Sequence, residues 1–185
     1  MKSTPAKIPG VMIFEPAIYK DERGCFFEIF NEMRYRTYGL TLSFVQDNIS
    51  KSTKGVLRGL HYQLQHPQGK LVTVLKGKIF DVIVDIRQTS PTFGQWLTLE
   101  LSDENHKQLY IPPGLAHGFY ALSDKVEFHY KCTDYYHPED EHGIAWNDSD
   151  LGIPWPLSQP PLISVRDTKF TRLREINSAK LPNLK

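Results

Sequence analysis

The chain has 185 residues, of which 40% are hydrophobic and 23% charged, and its formal net charge at pH 7 is +1. This length fits a single domain over residues 1–185 with a sizeable buried core. The near-zero charge argues against nucleic acid as a partner, and the composition excludes a disordered or collagen-like chain.

Short β-rich runs separated by turn residues dominate the sequence. In chain order they are GCFFEIF, LSFVQDNIS, VLRGLHYQ, LVTVLKG, KIFDVIVDIR, GQWLTLELS, QLYIPPG, AHGFYAL and VEFHYKC. Regularly spaced strands of this kind predict an all-β fold, either a sandwich or a jelly roll. Helices are predicted only at residues 31–38 and 164–176, the second of them inside a C-terminal tail, 164–185, that packs on the domain.

No run of about 18 apolar residues occurs in the sequence, which argues against a membrane-spanning helix. The N-terminal residues MKSTPAKIPGVMIF contain no apolar stretch of signal-peptide length. The two cysteines, Cys25 and Cys132, form no paired motif, so we expect reduced thiols. These features together predict a cytoplasmic protein without a membrane partner.

Polar side chains interrupt several of the predicted strands. In KIFDVIVDIR, alternation places Asp81 on the same face as Ile79 and Ile83. A lone polar residue in a strand is more often structural than catalytic. In a closed jelly roll, however, inward-facing positions of neighbouring strands line one cavity. We expect five such residues to converge there: His61, Lys70, Asp81, His117 and Tyr130.

Six blocks of the sequence carry a resemblance to a known family. They are KSTKGVLRGLHYQ, QGKLVTVLKGKIFDVIVDIR, SPTFGQWLTLELS, QLYIPPGLAHGFYALSD, EFHYKCTDYYHPE and GIAWNDSDLGIPWP. In this order they resemble the dTDP-4-dehydrorhamnose 3,5-epimerases, over residues 14–167. The resemblance implies a cupin-type jelly roll that forms a homodimer and acts on a dTDP-sugar without a cofactor.

The resemblance also implies roles for individual residues. It assigns the catalytic base to His61, the carboxylate that orients it to Asp167, the lysine near the keto oxygen to Lys70 and the general acid to Tyr130. It also implies that nine further residues contact the substrate: Arg23, Glu28, Gln46, Asn48, Arg58, Asp81, His117, Tyr136 and Lys169. The loop LQHPQG, which contains His66, is slightly shorter than is typical of the family.

Regular alternation in VLRGLHYQ places Arg58 and His61 on opposite faces of the strand. Both residues are expected to reach a bound substrate, so this alternation needs an explanation. A bulge at Gly59 would bring the two side chains to one face. Alternatively, Arg58 crosses a dimer interface to a neighbouring site. We favour the second explanation, because a strand shared between subunits would also account for the aromatic, β-rich N-terminal segment.

Three other functions stay open at this level. A metal-dependent cupin would carry an HxH pair, but the seven histidines include none, so no metal site is predicted. A non-catalytic sugar-binding jelly roll would not need the base, lysine and acid together. An enzyme that epimerises only carbon 3 or carbon 5 of another dTDP-4-keto-deoxysugar shares these residues, and the sequence does not distinguish it.

Overall fold

Thirteen short strands and one α-helix form the framework of residues 1–183, which are the residues described by this computed structural model. The strands are β1 (Lys2–Pro5), β2 (Met12–Glu15), β3 (Tyr19–Asp21), β4 (Gly24–Phe26), β5 (Gln46–Ser52), β6 (Leu57–Gln63), β7 (Lys70–Lys76), β8 (Lys78–Asp85), β9 (Trp96–Ser102), β10 (Gln108–Ile111), β11 (Leu115–Ala121), β12 (Val126–Cys132) and β13 (Glu141–Gly143). The helix is α1 (Glu32–Arg36).

Two antiparallel sheets face each other. The six-stranded sheet has the order β1-β2-β10-β7-β12-β5, and the five-stranded sheet has the order β13-β6-β11-β8-β9. Strands β3 and β4 form a separate hairpin. The predicted all-β, cupin-type jelly roll is therefore confirmed. Most predicted runs form strands, but GCFFEIF leaves the β conformation after Phe26, and the LSFVQDNIS strand begins only at Gln46.

The alternation in β8 separates two apolar cores as the sequence predicts. Ile79 and Ile83 point between the sheets, where they join Val72 from β7 and Phe128 from β12. Val82 and its alternating neighbours lie on the outer face of the five-stranded sheet. Both faces of this sheet are therefore buried, which fixes its register, because a shift of one residue would expose a full set of apolar side chains.

The C-terminal segment covers the outer face of the five-stranded sheet with the buried side chains of Leu173 and Leu181. The α-helix predicted at 164–176 is wrong: this stretch forms only the 3-10 turns Asp167–Lys169 and Leu173–Glu175. Its backbone is held instead by distant side chains, as when Leu173 donates its N–H to Asp148 at 2.8 Å. Positions 184 and 185 of the predicted tail lie outside the described residues.

The short helix predicted at residues 31–38 is confirmed as α1. Asn31 caps it by accepting a hydrogen bond from the Arg34 N–H, and Glu32 pairs with Arg36 one turn later. Tyr35 is the buried residue of α1, and it packs against Phe14 on the outer face of the six-stranded sheet. Within residues 1–183, no helix has the length and hydropathy needed to span a bilayer.

Strand β6 carries a bulge at Gly59. His61 pairs with His117 and Arg58 pairs with Phe119, so β6 uses one more residue than β11 over the same length. Gly59 has φ +119°, and a Cβ there would lie 2.5 Å from Gly118 Cα. The bulge brings Arg58 and His61 to the same cavity. Our preference for an Arg58 that crosses to a neighbouring subunit is therefore wrong.

We predict that Gly118→Ala destabilises the protein by about 2 kcal/mol, as overpacking typically does. A Cβ at this position would lie 2.5 Å from the Arg58 carbonyl oxygen, and backbone atoms cannot rotate away. Urea unfolding measures the free energy. Gly69→Ala is the control, because its φ lies outside the left-handed region and a Cβ there would meet only side-chain atoms, at 3.1 Å or more. Equal stability of the two variants would contradict the close approach of the strands.

Candidate active site

A cavity of about 620 Å³ opens between the two sheets, a size suited to a small-molecule ligand. Nine of the predicted site residues line it: Gln46, Asn48, Arg58, His61, Lys70, His117, Tyr130, Tyr136 and Asp167. They come from both sheets and from the C-terminal segment, so the cavity exists only once the sandwich has closed and the tail has docked.

His61 is paired with a buried carboxylate. Its Nε2 lies 2.9 Å from Asp167 Oδ1, and the second oxygen of Asp167 accepts the N–H of Gly59 at 3.2 Å. An ionised Asp167 can only accept, so Nε2 carries the hydrogen and Nδ1 keeps a lone pair. This arrangement fixes one tautomer of His61 and leaves a ring nitrogen available as a base.

The charge of Asp167 is held by its hydrogen bonds. Burial is the strongest single influence on the pKa of Asp167 and would raise it. The hydrogen bond and charge of His61 oppose burial, as do hydrogen bonds from the Ser164 hydroxyl and the Gly59 amide. Together these groups lower the pKa of Asp167 below its usual value. Asp167 therefore stays ionised at neutral pH.

A second histidine–carboxylate pair lies beside the first. His117 occupies the position opposite His61 in the β6–β11 pairing, and its Nε2 lies 2.8 Å from Asp81 Oδ2. His117 lines the cavity, whereas Asp81 is fully buried behind it. Asp81 therefore acts on the site through His117, and the expectation that it contacts substrate directly is wrong because its side chain does not reach the cavity.

Lys70 and Tyr130 reach the cavity from the six-stranded sheet, opposite the two histidines. Burial lowers the pKa of Lys70, and the carboxylates of Glu141 and Asp81 partly oppose this shift. Burial also raises the pKa of Tyr130, which keeps the phenol protonated at neutral pH. The cavity thus has two imidazoles on one wall and an amine with a phenolic proton donor on the other.

Several cavity residues were not found from the sequence. Glu141 lies in β13, and its Oε1 is 3.6 Å from His61 Nδ1. Its other oxygen accepts a hydrogen bond from the Tyr136 hydroxyl at 2.6 Å and forms an ion pair with Arg166. β13 has the sequence Glu-His-Gly, which is too short to give an alternation signal. Ser50 also lines the cavity, and its buried hydroxyl has no hydrogen-bond partner within the described residues.

Polar side chains surround the rest of the cavity. The Arg58 guanidinium is oriented by the Ser52 hydroxyl, to which it donates at 3.2 Å. Gln46 donates to Asn48 at 3.0 Å and accepts the Tyr136 N–H, so these groups hold each other in place. Together they present a cation and several amide groups to a polar ligand.

Besides Asp81, three predicted residues lie outside this cavity. Arg23 is exposed and pairs with Asp21 in the β3–β4 hairpin, and Glu28 pairs with Arg34 beside α1. Lys169 is exposed on the C-terminal segment. None of the three lines the cavity of its own chain, so their contact with substrate stays a prediction that a single chain does not test.

Comparison with known proteins adds independent findings. The sequence model of the family described as dTDP-4-dehydrorhamnose 3,5-epimerase matches residues 5–175. The dTDP-4-dehydrorhamnose 3,5-epimerase of Methanothermobacter thermautotrophicus is 53% identical over 170 residues, which cover 91% of this chain and 92% of that protein.

Solved structures agree with the sequence match. The 3,5-epimerase of Legionella pneumophila, in complex with dTDP-4-keto-L-rhamnose, superposes with a TM-score of 0.97 at 52% identity, covering 100% of this chain and 98% of that one. A 3'-monoepimerase of Streptomyces bikiniensis, in complex with dTDP-quinovose, gives 0.91 at 35% identity, covering 96% and 91%. This chain belongs to the dTDP-4-dehydrorhamnose 3,5-epimerase family.

Proposed function

We propose that this protein epimerises dTDP-4-keto-6-deoxy-D-glucose at carbons 3 and 5, producing dTDP-4-keto-L-rhamnose. One observation carries the proposal: His61, paired with Asp167, and Tyr130 line the same cavity from opposite sheets. Inversion of a carbon centre requires removal of a proton from one face and return of a proton to the other. The two walls of this cavity supply these two groups.

The base is His61. Protons on carbons 3 and 5 are acidified by the keto group at carbon 4, which lies between them, so an imidazole nitrogen with a free lone pair is a suitable acceptor. Asp167 stabilises the imidazolium that forms and keeps the ring oriented. Removal of each proton leaves an enolate. Since each inversion is redox-neutral, these steps need no oxidant or reductant.

Lys70 stabilises the enolate. Proton removal places negative charge on the keto oxygen, and an ammonium group held beside that oxygen in a cavity shielded from water lowers the free energy of the enolate. Burial disfavours the charged form of Lys70 in the empty site, and an enolate oxygen nearby would favour it again. The interaction is therefore strongest when the enolate forms, as catalysis requires.

Tyr130 returns the proton. Its raised pKa keeps the hydroxyl protonated, and its position on the sheet opposite His61 lets it reach the other face of the sugar ring. Arg58, Gln46 and Asn48 are the groups we assign to the dTDP part of the substrate, because a guanidinium and amides bind phosphate and base oxygens well. His117, held by Asp81, contributes a further polar wall.

A single-centre epimerase is the second candidate. The superposition on the Streptomyces 3'-monoepimerase shows that this fold also serves inversion at one carbon. The higher identity to 3,5-epimerases supports inversion at both. The base and acid of this chain are the groups that either reaction needs, so labelling of the two carbons is the experiment that separates the candidates.

We also propose that the protein is a homodimer in which each hairpin β3–β4 reaches the partner's cavity. Tyr19 and Phe26 on this hairpin expose 66% and 72% of their surface, as an interface would require. Arg23 and Glu28 lie on or directly after it, outside their own cavity, so substrate contact by either requires a second copy. A symmetric dimer would supply both sites at once.

The thiols support a reducing compartment. Cys25 is exposed, Cys132 is buried, and both are free in the structure. Free thiols of this kind are typical of cytoplasmic proteins. We therefore place the enzyme in the cytoplasm.

Replacement of Lys70 by Met should lower kcat by about 10²–10³-fold while KM changes only a few-fold, because the charge acts mainly on the enolate. Steady-state kinetics with the dTDP-sugar measures both constants. Lys131→Met is the control: it lies on the neighbouring strand but pairs with Asp47 outside the cavity. A rise in KM at unchanged kcat would instead assign Lys70 to phosphate binding.

Turnover in deuterium oxide should label carbons 3 and 5 of dTDP-4-keto-6-deoxyglucose, because both returned protons exchange with solvent. Mass spectrometry counts the deuterium atoms incorporated, and proton NMR shows which carbons carry them. In Tyr130→Phe, inversion should fall by about 10²–10⁴-fold while exchange on the His61 side persists. Tyr110→Phe is the control, a buried tyrosine outside the cavity. Label at one carbon would favour the single-centre enzyme, and no label would contradict the proposed reaction.

Mixed dimers test the shared site. Arg23→Ala should lower kcat/KM at least tenfold, and His61→Asn should nearly abolish turnover. When the two variants are refolded together, about half of the dimers contain one chain of each, and each such dimer has one intact site of its two. The mixture should therefore recover about a quarter of wild-type activity. Co-refolded His61→Asn and Lys70→Met should restore none, since both residues line the same cavity. Light scattering measures the dimer. A monomer, or no recovery with Arg23→Ala, would refute the shared site.

A further inference from the structure

Two loops outside the cavity bring together metal-binding side chains. The loop between β6 and β7 carries His66, and the segment after β12 carries Asp134 and His137. The two imidazole rings are stacked, with centroids 3.9 Å apart and planes 15° apart. Among the described residues, one potential ligand atom from each of the three lies within 4.8 Å of the others.

The backbone that carries these side chains is fixed. The buried Gln63 side chain donates to the carbonyl oxygens of His66 and Tyr135 at 2.7 and 3.1 Å, and accepts the His137 N–H at 2.9 Å. Asp140 accepts the His66 N–H at 2.8 Å, and Gln68 donates to the Asp134 carbonyl oxygen at 2.8 Å. The three side chains therefore start from a rigid framework rather than from free loops.

The proposed catalytic chemistry does not use this cluster. None of its three side chains lines the cavity, and each is partly exposed, by 48% for His66, 39% for Asp134 and 31% for His137. His66 Nδ1 lies 3.8 Å from Asp134 Oδ2, which is too long for a hydrogen bond. Two atoms bound to one zinc ion at about 2.0–2.2 Å would be separated by roughly 3.4 Å, a close match to this gap.

We propose that His66, Asp134 and His137 form a binding site for a divalent transition-metal ion, with Zn²⁺ as the best-suited ion. Two imidazoles and one carboxylate favour Zn²⁺, Ni²⁺ or Co²⁺ over Mg²⁺ and Ca²⁺, which prefer oxygen ligands. The lone pair of each imidazole nitrogen lies in its ring plane, so the two stacked rings must turn out of parallel to share one ion. Both side chains are partly exposed, which leaves room for that rotation. Water completes the coordination.

Glu139 supports one of the ligands. Its Oε1 lies 3.3 Å from His137 Nδ1, so a hydrogen bond there orients the ring and leaves Nε2 for the ion. Histidine ligands commonly donate their second ring nitrogen to a carboxylate in this way, and loss of such a partner lowers metal affinity about 10–100-fold. Glu139 is therefore a positioning residue of the proposed site.

An ion at this site would join two loops that border the catalytic cavity. Gln68, two residues after His66, and Tyr136, immediately before His137, both line that cavity. The ion would connect the two loops and restrain this rim. It would not contact the reacting carbons, so its role is to hold the rim rather than to take part in proton transfer.

The test is calorimetric titration of tag-free, chelator-treated protein with ZnCl₂. We expect one ion per chain, with affinity lowered more than tenfold by His66→Ala, by Asp134→Asn and by Glu139→Gln. His106→Asn is the matched control: it removes another histidine, one at φ +50°, where asparagine is well tolerated. Circular dichroism of each metal-free variant confirms that it is folded.

Two results would overturn the proposal: no saturable binding near one equivalent, or binding unchanged in all three cluster variants. A second measurement uses Co²⁺, whose visible absorption should appear in the wild type and be lost in His66→Ala. Chelator treatment should leave kcat within about twofold, because the ion holds the rim only. Abolished turnover after chelation would contradict that role, whereas the binding readouts do not depend on the proposed reaction.

Discussion

The carboxylate of Asp167 is the interaction on which the rest of the site depends. It accepts a hydrogen bond from His61 and another from the Gly59 N–H, so one side chain ties the C-terminal segment to the bulge of β6 and to the base. Burial of an unpaired carboxylate would be costly, and each partner offsets part of that cost. The docked tail, the irregular strand and the imidazole are therefore stabilised together, and none reaches its final geometry alone.

The strands and their faces could be predicted because they follow local rules. Alternation in KIFDVIVDIR separates Ile79 and Ile83 from Val82, and the two cores receive them as expected. The short helix was also predictable, since Asn31 provides a local cap for it. Polar positions inside the predicted strands identified His61, Lys70 and Tyr130, and the resemblance assigned their roles. The closed sandwich places all three around one cavity.

The features that were missed depend on contacts distant in sequence. The bulge at Gly59 was considered but not favoured, because it requires Gly59 to meet Gly118, a pairing that strand alternation does not contain. The tail does not form the predicted helix, because Asp148 and strand β6 supply its hydrogen bonds in place of a helical ladder. Glu141 belongs to a strand too short to give a pattern. In each case tertiary hydrogen bonds or close packing outweighed local preference.

The position of the proposed acid and base on opposing sheets has a consequence for which sugars the enzyme accepts. Sheets in a sandwich lie about 10 Å apart, and this spacing is set by the apolar core rather than by loops. The thickness available to a sugar between His61 and Tyr130 is therefore a property of the whole domain. Bulky groups that project above or below the pyranose ring would be rejected, while substituents in the plane of the ring, directed towards the open mouth, would be tolerated.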